Sequence, residues 1–151
     1  MSWYALYTRP RHEKKAFDSL IEKDLEAFLP TVQELRQWKD RRKAVEIPLF
    51  PSYVFVNMDI RNRVTALQAH GVVRLIGFGG QPAIIPDWQI QQLQKIISSQ
   101  QVLQPEDYLK IGDFVEVMVG PLQGIRGYLR ESRGDARVAV MLDGIYQAAS
   151  F

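Results

Sequence analysis

The spacing of hydrophobic and polar positions changes along the chain, and each spacing predicts one kind of element. Residues 2–8 are densely aromatic and apolar, which predicts a short buried strand. Over residues 11–23 the apolar side chains recur at helical spacing with charges between them, as in an amphipathic helix. Residues 26–36 and 44–58 read as two strands that pair antiparallel around a loop at 37–43.

The pattern continues through three further elements. A short helix is expected over residues 61–70, a strand at 72–78, and a longer helix that begins near Pro86. One face of this last helix is apolar and consists of Ile90, Leu93, Ile96 and Ile97. The order of elements predicts an α+β fold in which helices cover one face of a mainly antiparallel sheet.

A second unit follows a stretch that lacks any periodicity. Residues 98–108 are polar and include Pro105, which is typical of a linker. We therefore divide the chain into a first domain at residues 1–100, a linker at 101–108 and a second domain at 109–151.

The second domain alternates in the manner of short strands. In the stretch DFVEVMV, Val115, Val117 and Val119 share one face, and we expect that face to be core. Several short strands separated by small turns predict a compact β-barrel. The last predicted strand reaches only to Phe151, which predicts an open sheet edge in this domain.

Composition excludes several classes of function. Without cysteine there is no thiol nucleophile, disulfide framework or Cys/His zinc site, and we expect neither a metal nor a cofactor. The glycine-containing GFGGQP and GPLQGIRG match no phosphate-binding or dinucleotide motif, and Asp18 with Glu22 lacks a nucleophile motif, so no enzyme is expected. No apolar run approaches the ~18 residues that span a membrane, so we expect a cytoplasmic protein without a membrane partner.

The net charge is only +2, but the basic residues are clustered. One cluster lies within residues 9–15 and another within 36–43. Such clusters are typical of phosphate-binding surfaces, although a solvated charged face explains either one as well. Trp38, inside the second cluster, either covers the apolar face of the hairpin or contacts another protein.

The stretch LFPSYVFV at residues 49–56 raises a question about burial. A strand covered on both faces reads as a continuous apolar string, whereas rings that face solvent mark a protein-binding surface. Strand alternation places Val54 and Val56 opposite Tyr53 and Phe55. We expect one set in the core and the other to be available to a partner.

Four motifs in series resemble one known family. They are WYALYTRPRHEKK, PLFPSYVFV, GVVRLIGFGGQPAIIP and VGPLQGIRGYLRE, in this order over nearly the whole chain. The series resembles the NusG family of transcription elongation factors, and PLFPSYVFV is more similar to its operon-specialised branch, represented by RfaH and UpxY, than to the general factor. The resemblance implies an α+β fold, with a ferredoxin-like α/β sandwich followed by a small SH3-like barrel, the KOW module.

The resemblance also implies a polymerase partner. The first domain would bind the clamp helices of the largest catalytic subunit of RNA polymerase through an apolar depression. The matching positions are Trp3, Tyr4, Phe50, Pro51, Tyr53 and Phe55. For Tyr53 and Phe55, plain core packing is the alternative. The protein would act as a monomeric, noncatalytic elongation and antitermination factor that suppresses pausing or termination.

Contact with non-template DNA is implied for the basic positions. These are Arg9, Arg11, His12, Lys14 and Arg74. Phosphates attract Arg and Lys, and exposed single-stranded bases stack on planar groups. For His12 the alternative is an ordinary surface residue at a helix start.

The KOW module implies a further partner, either a small-subunit ribosomal protein or a termination factor. Its candidate contacts are Phe114, Leu122, Ile125 and Ile145, each with barrel core as the alternative. For the whole chain the competing function is a KOW-type RNA- or ribosome-binding protein that does not contact polymerase.

Overall fold

The apolar run at the amino terminus forms strand β1, Ser2–Thr8, inside a four-stranded antiparallel sheet. The computed structural model describes residues 1–38, 41–99, 104–107, 114–118, 121–132, 135–142 and 147–150. The strands lie in the order β2-β5-β1-β6, with β2 at Glu26–Phe28, β5 at Tyr53–Met58 and β6 at Val72–Leu75. The helices are α1 at Glu13–Glu22, α2 at Arg63–Leu67 and α3 at Asp87–Ser98.

Both faces of this sheet are covered. On one face Tyr4, Leu6, Val54 and Val56 form an apolar cluster with side chains of α1 and α2. On the other face Trp3, Ala5 and Phe55 form a cluster with Ile90, Leu93 and Ile96 of α3. The α+β class is therefore confirmed, but the expectation of helices on one face only is wrong, because the apolar face of α3 packs on the opposite face.

The predicted hairpin is a separate two-stranded sheet. Strands β3, Thr31–Trp38, and β4, Arg41–Pro48, pair from Thr31 opposite Pro48 to Trp38 opposite Arg41. The two long predicted strands are each divided, because the chain leaves the main sheet after β2 and returns to it only at β5. We call this two-stranded sheet the arm. A second small hairpin, β7 at Gly77–Phe78 and β8 at Gln81–Pro82, precedes α3.

The carboxy-terminal part forms a five-stranded antiparallel sheet. Its strands, in spatial order, are β10 at Phe114–Glu116, β11 at Arg126–Ser132, β12 at Asp135–Met141, β13 at Gln147–Ser150 and β9 at Gln104–Asp107. No pairing of described residues joins β9 to β10, so the described strands form an open sheet instead of the closed barrel that we expected.

The structure of this sheet bears on two further expectations. Val115 and Val117 are partly buried whereas Phe114 and Met118 are exposed, which confirms the described part of the valine face. The expectation that the last strand is an open edge is wrong, because β13 pairs with both β12 and β9. Since β9 lies in the stretch that we read as a linker, the division of the chain at this point stays a proposal.

The second sheet packs on α3. Leu122, Ile125, Val140 and Leu142 belong to the same buried cluster as the apolar face of α3. The carboxamide of Gln92 donates to the Arg126 carbonyl oxygen at 2.6 Å and accepts from the Arg126 N–H at 2.7 Å. Nearby, the Lys95 ammonium donates to the Gln123 carbonyl oxygen at 3.1 Å. Helix α3 therefore contacts a sheet on each side.

Candidate functional site

Four of the six predicted polymerase-binding residues lie in the core. The exposed fractions are 7% for Trp3, 5% for Tyr4, 1% for Phe50 and 0% for Phe55. Phe50 and Phe55 pack edge to face with ring centroids 5.9 Å apart. Trp3, Phe50 and Phe55 belong to the buried cluster that includes the apolar face of α3, and Tyr4 belongs to the cluster formed with α1 and α2, so these rings form no open hollow. For Phe55 the alternative of core packing applies.

Tyr53 and Pro51 differ from these four. Pro51 is exposed, and Tyr53 is half-buried at the start of β5. The Tyr53 ring packs edge to face on Tyr7, with centroids 5.7 Å apart, and the Arg74 guanidinium lies 5.4 Å from the centroid of the Tyr7 ring. These three side chains come from the neighbouring strands β5, β1 and β6, and we call them the tyrosine row.

The environment of Tyr53 is apolar enough to change its acidity. Burial raises the pKa of Tyr53 above its usual value, and the nearby Arg74 charge opposes that rise in part. The Tyr53 hydroxyl is therefore neutral at physiological pH. The tyrosine row thus places the neutral Tyr53 phenol beside the Tyr7 ring and the Arg74 guanidinium.

Glu13 holds the loop before Tyr53 in place, a role that sequence reasoning missed. Its carboxylate is only 6% exposed and accepts from the Ser52 N–H at 3.0 Å. The Thr8 N–H donates to the Ser52 carbonyl oxygen at 2.8 Å. Glu13 stands in a charged stretch that reads as solvated, so nothing in the pattern marked it as buried.

The predicted nucleic-acid residues fall into separate places. Arg9, Arg11 and His12 lie in the loop between β1 and α1, whereas Arg74 belongs to the tyrosine row. Lys14 makes its contacts within α1, where its ammonium is 3.6 Å from the Asp18 carboxylate and 5.3 Å from the Phe17 ring centroid.

A second histidine, His70, adjoins His12 and stands at the end of the short helix that the sequence predicted over residues 61–70. The His12 and His70 rings lie with centroids 5.7 Å apart and planes inclined by 35°. We call these two side chains the imidazole pair. Nothing in the sequence marked His70 as a neighbour of His12, because only the fold brings the two together.

The remaining candidates belong to the arm and to the carboxy-terminal part of the chain. Arg41, Arg42 and Lys43 are exposed on β4, whereas the Trp38 side chain lies outside the described residues. Of the carboxy-terminal candidates, Leu122 and Ile125 are 5% and 3% exposed and belong to the buried cluster that includes the apolar face of α3. Phe114 is 57% exposed and packs against Tyr128 at 5.1 Å between centroids. Ile145 lies outside the described residues.

Two kinds of feature are absent from the described ranges. Among those residues, no group of three or more His, Asp or Glu side chains is arranged to hold a metal ion. No helix in the same ranges is long and apolar enough to cross a membrane.

Comparisons with known proteins agree with the motifs. Residues 1–94 match the family described as Transcription termination factor nusG. The Transcription termination/antitermination protein NusG of Thermus thermophilus is 29% identical over an alignment of 169 residues. The alignment covers 95% of this chain and 91% of the relative. The protein of the same name from Pseudomonas aeruginosa is 26% identical over 159 residues, with coverages of 94% and 89%.

A solved structure supports the fold. The structure described as "Domain interaction in Thermotoga maritima NusG" superimposes with a TM-score of 0.56 at 20% identity, and the match covers 98% of this chain and 90% of the other. At that identity the likeness bears on architecture alone. Since the family match spans residues 1–94, well over half of the chain, this protein belongs to the NusG family.

Proposed function

We propose that this chain is a transcription elongation and antitermination factor that acts without catalysis, by binding RNA polymerase. Family membership and the names of the curated relatives support this function. We propose further that it binds the clamp helices of the largest catalytic subunit, contacts non-template DNA and belongs to the operon-specialised branch.

The tyrosine row is the observation that carries the polymerase contact. Most of the aromatic set in LFPSYVFV is sealed in the core, but Tyr53 remains half-buried on Tyr7, beside Pro51 and the Arg74 cation. Half-buried aromatic rings with a neighbouring arginine are typical of the central residues of protein interfaces. We therefore assign the docking contact to Tyr53, Tyr7 and Pro51. Tyr53 and Tyr7 pack against the buried cluster that contains the rings of Trp3, Phe50 and Phe55.

Such a factor acts only through binding energy. A protein that bridges two parts of polymerase stabilises the active state by no more than its differential affinity for that state over the paused one. Suppression of pausing is therefore proposed as the direct consequence of clamp binding. The carboxy-terminal sheet is proposed to recruit a ribosomal protein or a termination factor, with exposed Phe114 as its candidate contact.

The test is binding of the full chain to purified RNA polymerase. Tyr53→Ala is expected to weaken binding by about 30-fold, because removing a central aromatic residue typically costs ~2 kcal/mol. Phe17→Ala is the matched control, since Phe17 is also half-buried but packs with the cluster beneath α1 and α2. In pausing assays Tyr53→Ala should lose activity in proportion to its binding.

Unchanged affinity in a folded Tyr53→Ala variant would reject the docking assignment. Co-purification of the wild type with ribosomal particles, insensitive to Tyr53→Ala and without polymerase, would instead favour the RNA- or ribosome-binding alternative. Circular dichroism and the thermal midpoint of each variant establish that the fold is retained.

A further inference from the structure

We propose that a cleft between α3 and the second sheet is a binding site for a small ligand that carries a planar aromatic ring and a carboxylate. We call it the interlayer cleft, and its principal side chains are Trp88 and Lys95 of α3, Arg126 and Tyr128 of β11, and Phe114 of β10. The site uses neither the tyrosine row nor the basic loop after β1. The inference is therefore independent of the proposed polymerase and nucleic-acid contacts.

Two adjoining cavities make up the interlayer cleft. One has a volume of about 430 Å³ and the other about 270 Å³, and both are lined by Trp88, Gln92 and Arg126. Sites for small molecules typically have volumes of ~300–1,000 Å³ and often lie where two structural units meet. A stable protein partner instead covers about 800 Å² of surface. The size of the cleft therefore favours a small ligand.

The wall formed by the second sheet is held in place before any ligand binds. The Gln92 carboxamide is hydrogen-bonded to both backbone groups of Arg126. In the turn before β11 the Gly124 N–H donates to the Val117 carbonyl oxygen at 2.8 Å. Gly124 has a φ of 91°, and a Cβ atom there would meet no atom within 4 Å, so the turn leaves open space beside the cleft. A preorganised site loses less free energy to ordering when it binds.

The smaller cavity is aromatic. Trp88 is 47% exposed and Phe114 is 57% exposed, and both line this cavity together with Tyr128. The Phe114 ring packs edge to face on Tyr128, with centroids 5.1 Å apart. Rings that are half open to water gain from packing against a further ring in an edge-to-face or offset arrangement. This half of the cleft therefore suits a planar aromatic group.

The larger cavity is cationic. The Lys95 ammonium lines it and donates to the Gln123 carbonyl oxygen at 3.1 Å, a contact that uses one of its three N–H donors. The Arg126 Nε donates to the Glu116 carboxylate at 3.1 Å, so that pair is neutral as a whole. Among the described residues that line the two cavities, the charged side chains are both cations. With Arg126 balanced by Glu116, one positive charge remains, which matches one carboxylate.

The two halves are close enough for one small molecule. Trp88 and Lys95 are two turns apart on α3, which is about 10 Å along the helix axis. A compound with its ring near Trp88 and its carboxylate near Lys95 also touches the second sheet. Since such a ligand binds the packed arrangement of α3 and the sheet, it stabilises that arrangement by mass action.

The experiment is a titration of the ¹⁵N-labelled full chain with 2-naphthylacetate, followed by chemical shifts of the amide and indole N–H groups. We expect a Kd of about 1 mM or tighter, with the largest shifts at the Trp88 indole and the Gly124 amide. The neutral analogue 2-(2-naphthyl)ethanol should bind about three- to fivefold more weakly, because it cannot pair with Lys95. At a tenfold excess over the Kd, naphthylacetate should raise the thermal midpoint by about 3–5 °C.

Four variants separate the ring contact from the charge contact. Trp88→Ala is expected to weaken binding of both compounds by about tenfold, whereas Trp88→Phe keeps a ring and should stay within about threefold of the wild type. Lys95→Gln should lower the affinity for the acid to that for the alcohol and leave the alcohol unchanged. Lys15→Gln removes an exposed ammonium from α1 and is the matched control, with wild-type affinity for both.

Four results would overturn the inference. Naphthylacetate up to about 10 mM could cause no saturable shift at the cleft, or a folded Trp88→Ala variant could bind it as the wild type does. Equal affinity of the wild type for the acid and the alcohol would reject the carboxylate. A blocked tetrapeptide with adjacent phenylalanine and aspartate that binds more than tenfold more tightly than naphthylacetate would assign the cleft to a protein partner instead.

Discussion

Ser52 and Gly71 have positive φ angles of 68° and 80°, and each lies next to a candidate site. Ser52 is held by Glu13 and Thr8, and its turn delivers Tyr53 to the start of β5. Gly71 lets the turn after α2 touch His12. At the scale of single residues, backbone conformation therefore decides which side chains reach the tyrosine row and the imidazole pair.

Gly71→Ala tests the close approach at His12. The variant introduces both an unfavourable φ and a Cβ that clashes with the His12 side chain. Gly80→Ala is the matched control, because Gly80 has a φ of 77° but no atom within 4 Å of the added Cβ. We expect Gly80→Ala to lower the free energy of unfolding by about 1 kcal/mol and Gly71→Ala by at least about twice as much. Urea denaturation measures both, and equal losses would show that the contact with His12 is unimportant.

At the scale of elements, β5 and α3 both pack in two directions. Strand β5 sends Val54 and Val56 into one cluster and Phe55 into the other. Helix α3 packs on the first sheet with its apolar face and contacts the second sheet through Gln92 and Lys95. A polar residue such as Gln92, only 8% exposed, is suited to this place because its carboxamide satisfies both backbone groups of Arg126.

Gln92→Ala should loosen the contact between α3 and β11. The Gln92 carboxamide is the hydrogen-bond partner of the Arg126 N–H and carbonyl groups, and the substitution removes it. We expect this loss to lower the free energy of unfolding by about 1–3 kcal/mol. Gln91→Ala is the control, because Gln91 is the residue next to Gln92, has the same side chain and is exposed. Hydrogen exchange should report faster exchange at the Arg126 amide in Gln92→Ala alone. Wild-type exchange at that amide would contradict the role of the carboxamide.

At the scale of the whole molecule, one buried cluster joins the two sheets. It contains Trp3 and Phe55 of the first sheet together with Leu122, Ile125 and Val140 of the second. A shared cluster makes the unfolding of its contributors interdependent, so the two parts of the chain are expected to unfold in one transition.

Ile125→Ala tests this coupling through a distant reporter. All three tryptophans, Trp3, Trp38 and Trp88, lie before residue 100, but Trp88 lines a cavity with Ile125 and Arg126. In a Trp88→Phe background the remaining tryptophan fluorescence therefore reports on the first part of the chain. Truncating Ile125, which is 3% exposed, should destabilise the tryptophan-monitored transition by about 2–5 kcal/mol. Leu129→Ala, at a 43% exposed position of β11, should change it by less than about 1 kcal/mol. An unshifted tryptophan transition in Ile125→Ala would mean that the two parts unfold separately.

The spacing of apolar residues was sufficient to predict most helices and strands, but not how they pack on one another. The helical face of Ile90, Leu93 and Ile96 and the alternation of Val115 and Val117 are local properties, so the sequence predicted them correctly. Whether Phe55 is exposed depends on what covers its face of the sheet, and that is α3, more than 30 residues later. The order along the chain does not specify such a long-range contact.

Some residues of the candidate site could likewise be predicted from the sequence, and others could not. Tyr53 and the basic loop at residues 9–12 could be named from composition and motif. His70 and Glu13 could not, because one acquires its neighbour and the other its burial only through folding. A buried carboxylate and an exposed imidazole look alike in a charged stretch of sequence.

The arm also limits how its own mutants should be interpreted. Among the described strands none pairs with the outer side of β3 or β4, and such borders invite the same strand of a second molecule. Arg41, Arg42 and Lys43 are exposed on β4, and we expect their like charges to disfavour that pairing. Neutralising them to probe nucleic-acid binding would at the same time encourage self-association. A drop in activity after such a change would therefore confuse lost recognition with lost solubility.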